Sequence, residues 1–173
     1  MDPNIEIRPA RYDDLDALNG IYNHYVVETS ITFDVEPISV ERRRSWFEQF
    51  SEKGRHRLLV CTRGGKVVGY TASMRFRPKP AYETSVETTV YLDPTAKGQG
   101  LGTRLYVALF EALAGEDLHG AYAGVTCPNP ASVALHRRFG FRSIGLYQEV
   151  GRKFGKYWDV EWFEKHLGEA RSG

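Results

Sequence analysis

Glu87 stands in the middle of "TSVETTVYL" (84–92), a β-rich run in which a carboxylate is out of place unless it has a partner or a task. Strand alternation puts Ser85, Glu87, Thr89 and Tyr91 on one face and Val86, Thr88, Val90 and Leu92 on the other. Glu87 is then either an edge-strand charge facing water or a general base. The run leads directly into Gly98, Gly100 and Gly102 and then into an apolar-periodic segment. A glycine turn at a helix start lets backbone approach phosphate, because helix N-termini carry unpaired N–H groups and a positive dipole end. Two familiar phosphate motifs fail here. A P-loop needs Gly-Lys-Ser/Thr where this chain has Gly102-Thr103-Arg104, and the last glycine is misplaced for G-x-G-x-x-G. Taken alone, the loop leaves a phosphate site and a ligand-free turn equally open. Downstream, Asn129 is a helix cap or a ligand contact, and His136 is a packed histidine or an acid–base group. Arg75 and Arg77 share a face if their strand continues that far. They are then two solvated charges or a receptor for carboxylate or phosphinate.

The elements that must position these residues are legible in outline. "IEIRP" alternates as a short strand, and Leu15, Leu18, Ile21, Tyr22 and Tyr25 predict a helix over 13–28. Ser39 is expected to cap a second helix with Trp46, Phe47 and Phe50 on one face and Gly54 as its stop. Gly64-Gly65 joins two strands as a hairpin. Leu101, Leu105, Ala108, Leu109 and Ala112 mark a third helix, "AYAGVTC" a strand, and Asn129 to Phe139 a short helix stopped by Gly140. Two closing strands follow. The fold class is mixed α/β, with a right-handed crossover and a parallel pair expected within 85–126.

The chain of 173 residues is 42% hydrophobic, which suits a single domain with a core over about residues 5–167 and a frayed tail at 168–173. A net charge of +1 supplies no field to attract nucleic acid. No apolar run approaches the ~20 residues of a membrane span, and the polar start "MDPNIEIRPARYDD" is unlike a leader. Cys61 and Cys127 make neither a disulfide framework nor a metal site, which fits a reducing cytosol. The aromatic residues, 13% of the chain, gather near both ends and imply a rich core or a subunit interface.

Two motifs together shift the balance at the loop. "NPASVALHRRFGF" (129–141) and the K-x-x-G-x-G pattern of Lys97, Gly100 and Gly102 resemble the GNAT superfamily of N-acetyltransferases. Lys97 replaces that family's Gln/Arg but keeps a donor. "IYNHYV", "TFDVEP", "SVETTVYLDP" and "GRKFGKYWDV" further resemble the phosphinothricin and methionine-sulfoximine acetyltransferase group, small cytosolic enzymes, typically dimeric, that acetylate the α-amine of small amino acids and toxic glutamate analogues.

The resemblance implies a central, mostly antiparallel twisted sheet flanked by about four helices, acetyl-CoA as co-substrate and no metal. It implies Glu87 as general base, the Val90 N–H as oxyanion donor, and His136 near the sulfur as acid, second base or orienter. Thr88, Thr89, Val90, Lys97, Gly98, Gln99, Gly100, Leu101, Gly102, Thr103, Asn129 and Ser132 are then expected to hold the coenzyme. Arg75, Phe76, Arg77, Ser85, Val86 and Glu87 are expected around the substrate, with Lys153-Phe154 either near the active site or in a structural hairpin. Phe33, Tyr82 and Trp158 are pocket walls, core or dimer interface. The expected partner is a small amino-acid-like amine within a homodimer, without nucleic acid or membrane. A protein N-terminus, a polyamine, an aminoglycoside, or coenzyme binding without catalysis are the alternatives. Arg75 and Arg77 argue against cationic acceptors.

Overall fold

The computed structural model describes residues 4–168, so the expected frayed tail lies, apart from Gly168, outside the described residues. Seven strands among these residues form one sheet in the order β1-β2-β3-β4-β5-β7-β6. They are β1 (Ile5–Pro9), β2 (Arg57–Arg63), β3 (Lys66–Arg75), β4 (Ser85–Leu92), β5 (Gly120–Thr126), β6 (Arg142–Lys153) and β7 (Lys156–His166). The helices are α1 (Leu15–Glu28), α2 (Val40–Phe47), α3 (Leu101–Leu113) and α4 (Pro130–Arg138). Neighbouring strands run antiparallel except β4 and β5, the expected parallel pair.

Alternation along each strand divides the core. Leu58 and Val60 of β2 pack with Tyr70 and Ala72 of β3 beneath α1, through Leu18, Ile21 and Tyr25. Val86, Ala121, Ala123 and Phe163 face the other way, against Tyr106, Leu109 and Leu113 of α3. Leu105 and Leu109 are fully buried, each contributing roughly 1.5–3 kcal/mol of transfer free energy. Glu87 therefore projects on the α1–α2 side, and Val86 into the core beneath α3.

Local chemistry sets the boundaries. Gly64 and Gly65 both have positive φ (55° and 80°), which matches the backbone twist a two-residue hairpin requires. Ser39 caps α2, its Oγ accepting from the Arg42 N–H at 3.2 Å. The second helix is shorter than expected and stops at Phe47. Phe50 reaches Trp46 from the turn that follows (4.7 Å between ring centroids), and Gly54 lies in the connection to β2. The chain must reverse there to enter the sheet, and the aromatic contact survives without helix. At the end of α4 the Phe141 N–H returns to the His136 carbonyl (3.1 Å) over left-handed Gly140, which seats Phe141 against the imidazole.

Candidate active site

The parallel pairing of β4 with β5 covers only Ser85–Gly120, Val86–Ala121 and Glu87–Tyr122, although both strands continue. Beyond Glu87 they separate and leave an opening in the middle of the sheet. The backbone phase of β4 identifies what faces it. Asp93 N–H and Thr89 carbonyl bond towards β3, to Val68 O (2.9 Å) and Thr71 Oγ1 (2.8 Å). The Leu92 carbonyl turns instead to the Tyr25 hydroxyl (2.6 Å), and that of Thr84 to the His119 amide (2.8 Å). Peptide groups alternate along a strand, so the N–H groups of Thr88 and Val90 point away from β3 and into the opening.

A cleft of about 470 Å³ runs through this opening to the start of α3. Thr88, Thr89, Val90, Lys97, Gly98, Gly100, Leu101, Gly102, Thr103, Asn129 and Ser132 line it. Gln99 does not; it is exposed, and its side chain bonds Arg63 and the Thr95 carbonyl. Gly98 and Gly100 have φ of 75° and 74°, a left-handed backbone that residues with Cβ adopt only under strain. This turn brings the first amides of the 13-residue α3 onto the cleft, where intrahelical bonds leave them unpaired. Lys97 Nζ, 4.8 Å above the Tyr25 ring, adds positive charge. The Oδ1 of Asn129, a residue of the cleft wall, caps α4 by accepting from Ser132 N–H (3.2 Å), which leaves its amide NH₂ as a donor. Amides, a lysine and an Asn donor fit the pyrophosphate and pantetheine amides of coenzyme A.

His136 forms part of the cleft's inner wall and is buried. Its Nδ1 lies 2.7 Å from the Ser132 carbonyl, which can only accept, so Nδ1 carries the proton. Its Nε2 accepts from the Tyr106 hydroxyl at 2.9 Å, and Tyr106 lies 3.2 Å from Thr88 Oγ1. Burial lowers the His136 pKa, with the Ser132 carbonyl opposing, and burial raises that of Tyr106. The imidazole is thus a neutral, fixed ring that joins α4 to β4.

A second cavity, of about 560 Å³, adjoins the cleft and shares Thr88, Thr89, Tyr91, Gly124 and Thr126 with it. Glu87 is the carboxylate on its β4 wall, beside Thr88. Burial raises the Glu87 pKa, and the charge of Arg77 partly opposes the shift. Phe33 lines this cavity, its ring packed where a side chain at position 151 would stand. Arg43 and Trp46 of α2 form the far wall with Tyr22 and Tyr70.

The remaining expected residues fall outside both cavities. β3 ends at Arg75, so Arg75 and Arg77 do not share a strand face as expected: Arg75 influences His56, whereas Arg77 lies over Phe76 (4.4 Å) and near Trp162 (5.5 Å). Phe76 stacks on Tyr122 at 4.3 Å. Ser85 starts β4 opposite Gly120, and the Val86 side chain is in the core. Tyr82 packs on Phe76, Trp158 donates to the Lys153 carbonyl (3.0 Å), and buried Lys153 donates to the Thr32 carbonyl (2.8 Å). Among the described residues no group of His, Cys, Asp and Glu has metal-holding geometry.

Residues 7–162 match the family described as Acetyltransferase (GNAT) domain. The chain belongs to the GNAT acetyltransferases. It is 55% identical over 165 residues to a phosphinothricin N-acetyltransferase of Streptomyces coelicolor, with 94% of this chain and 96% of that one covered. An L-methionine sulfoximine/L-methionine sulfone acetyltransferase of Pseudomonas aeruginosa is 34% identical, with 96% of each chain covered. A GNAT superfamily phosphinothricin acetyltransferase from Sinorhizobium meliloti, solved in complex with acetyl-CoA, superposes with a TM-score of 0.89 at 30% identity over 98% of this chain and 92% of that one. This GNAT protein is therefore an acetyl-CoA-dependent N-acetyltransferase.

Two residues at these cavities, Tyr106 beside the cleft and Arg43 on the wall of the second cavity, escape a reading of the sequence. Tyr106, which connects His136 to Thr88, reads there as one more core position of an apolar helix. Arg43 is the middle of three consecutive arginines, and only its neighbours' exposure distinguishes it.

Proposed function

We propose that this enzyme acetylates the α-amine of a small amino acid or toxic analogue such as phosphinothricin, methionine sulfoximine or methionine sulfone, a detoxifying reaction in the last three cases. The observation that carries the reading is Glu87. Its carboxylate lies on the wall of a half-open cavity, one residue from Thr88, which the acceptor cavity shares with the coenzyme cleft. Relatives named for phosphinothricin and for methionine sulfoximine support the acceptor class.

Bound acetyl-CoA supplies an activated thioester in the cleft. An amino acid's ammonium cannot attack it, and Glu87 takes the extra proton directly or through a water. The Val90 N–H faces the opening, where it can stabilise the oxyanion that forms as the amine attacks. Collapse of that intermediate breaks the C–S bond, the thiolate of coenzyme A leaves, and the proton given up by the new amide nitrogen neutralises it. We assign His136 the role of orienter: with its proton held by Ser132, it fixes the Tyr106 hydroxyl and through it Thr88. Cys61 is fully buried, and direct amine attack needs no cysteine nucleophile. The assembly we propose is a cytoplasmic homodimer. Ile144, Leu146 and Val150 on edge strand β6 remain about half exposed (46%, 49% and 53%), which supports that reading.

The test is a thiol-release screen with acetyl-CoA over free amino acids, their sulfone and sulfoximine analogues, phosphinothricin, a polyamine, an aminoglycoside and an N-terminal peptide. Turnover is expected on the amino-acid group. Preference for the peptide or the polycations refutes the acceptor assignment. Glu87→Gln is expected to lose about 10²–10⁴-fold in kcat with coenzyme affinity kept, and full activity in that variant removes the base.

A further inference from the structure

The acceptor cavity contains a buried cation that the proposed chemistry does not use. Arg43 is only 3% exposed, whereas Arg42 and Arg44 beside it are exposed. Its Nε donates to Asn19 Oδ1 (3.2 Å), and Asn19 is in turn fixed by donating to the Ile38 carbonyl (3.0 Å). Its guanidinium lies against the rings of Tyr22 (4.5 Å) and Trp46 (4.4 Å) and eases the burial-raised pKa of Tyr70. Its Nη2 is buried and has no hydrogen-bond partner among the described residues. Among the described residues no carboxylate forms an ion pair with it. Asp34, the acidic group nearby in the cavity wall, is engaged by the Tyr22 hydroxyl (2.5 Å) and by Arg42 (3.9 Å).

A guanidinium removed from water without a counter-ion is unfavourable, and aromatic faces compensate only part of that loss. They cover the plane of the group, Asn19 takes up Nε, and Nη2 is left without a hydrogen-bond partner among the described residues. A donor of this kind, in a cavity whose β4 wall carries Glu87, suits oxyanion recognition. Arg75 and Arg77 are exposed and line neither cavity.

We propose that Arg43 is the anion receptor of the acceptor pocket and holds an oxyanion of the amine substrate while Glu87 takes its ammonium proton. This rests on the amino-acid reading of the pocket. Held on its α2 wall by Asn19, Tyr22 and Trp46, Arg43 selects acidic amines over neutral ones. The oxyanion is an α-carboxylate or a side-chain phosphinate, and substrate choice separates the two.

The experiment compares kcat/KM of the full-length enzyme, Arg43→Met and Arg43→Lys with phosphinothricin, methionine sulfone and methionine sulfone carboxamide. Coenzyme A affinity is measured in parallel as the check on folding. In Arg43→Met the preference for the acids over the carboxamide is expected to fall about 10- to 100-fold, mainly through KM. Arg43→Lys is expected to recover part of it. A loss shared by both acids identifies the α-carboxylate, and a loss confined to phosphinothricin identifies the phosphinate. An equal loss on all three substrates, or none, overturns the proposal, because a purely structural arginine affects them alike. If Arg43→Met no longer binds coenzyme A, the same comparison in Arg43→Lys decides. A wild-type enzyme inactive on all three acceptors refutes the amino-acid reading itself, and this inference with it.

Discussion

Glu87 is half-buried and His136 buried, and the pKa shifts of these two groups have opposite consequences. Burial raises the Glu87 pKa because the cavity disfavours the carboxylate, and Arg77 restrains that rise. As the proposed base, Glu87 works only when ionised, so the acid limb of kcat/KM is expected above the usual carboxylate range. Arg77→Ala removes the restraint and moves the limb to still higher pH. A limb that stays put or moves down in a pH–rate titration removes Arg77 from the electrostatics of Glu87. For His136 the folded pKa is lowered, so the unfolded chain binds the proton more readily. Its contribution to stability is complete above its ordinary pKa near 6.5 and is lost as pH falls towards the lowered folded value. His136→Gln is expected to flatten that acid-side loss in thermal melts. Glu87 was legible in the sequence because a strand's two-residue period exposes a misplaced charge. Arg43 was not, since consecutive Arg42, Arg43 and Arg44 differ only in how α2 meets the sheet.

At the scale of elements, the cleft proposed for the coenzyme depends on a turn geometry and on an interruption in pairing. Gly100 and Gly102 belong to one sequence motif but have different physical roles. Gly100 is left-handed at φ 74° with open space where a Cβ would stand, so Gly100→Ala is strained by its backbone alone, at about 1–2 kcal/mol. Gly102 is helical, and a Cβ there meets Leu135, Val90 and Leu92 at ordinary contact distances of 3.5–3.9 Å. Gly102→Ala should therefore fold at least as well as the parent, with up to about 1 kcal/mol gained from helix propensity. Denaturant titration of the pair is expected to separate them, with the coenzyme KM rising in Gly100→Ala. Equal stability in both variants contradicts the assignment. The helix caps, the Gly64-Gly65 hairpin and the parallel pair were readable because each is local or follows from connectivity. The separation of β4 from β5 after Glu87 was not, because one strand's sequence does not record where its neighbour departs.

For the whole molecule, the strand order leaves β6 as one edge of the sheet, with β7 inserted between it and β5. Two closing strands were evident in the sequence, but consecutive strands give no sign of which one docks on the sheet. This placement exposes Leu146 and Val150 on an edge that would otherwise invite indiscriminate pairing. The same edge reaches the cavity proposed for the acceptor, because Tyr147 and Val150 are part of its wall. A second copy covering β6 would therefore complete the pocket as well as bury the apolar patch. Leu146→Arg places a charge in that interface without altering a residue that lines either cavity. Light scattering is expected to show the mass of two chains for the parent and of one for the variant. The variant's KM for the amine is expected to rise about tenfold, the equivalent of 1.4 kcal/mol of lost binding, while its coenzyme affinity stays unchanged. A monomeric parent refutes the dimer. A dissociated variant with unchanged amine KM shows that each chain completes its acceptor pocket alone.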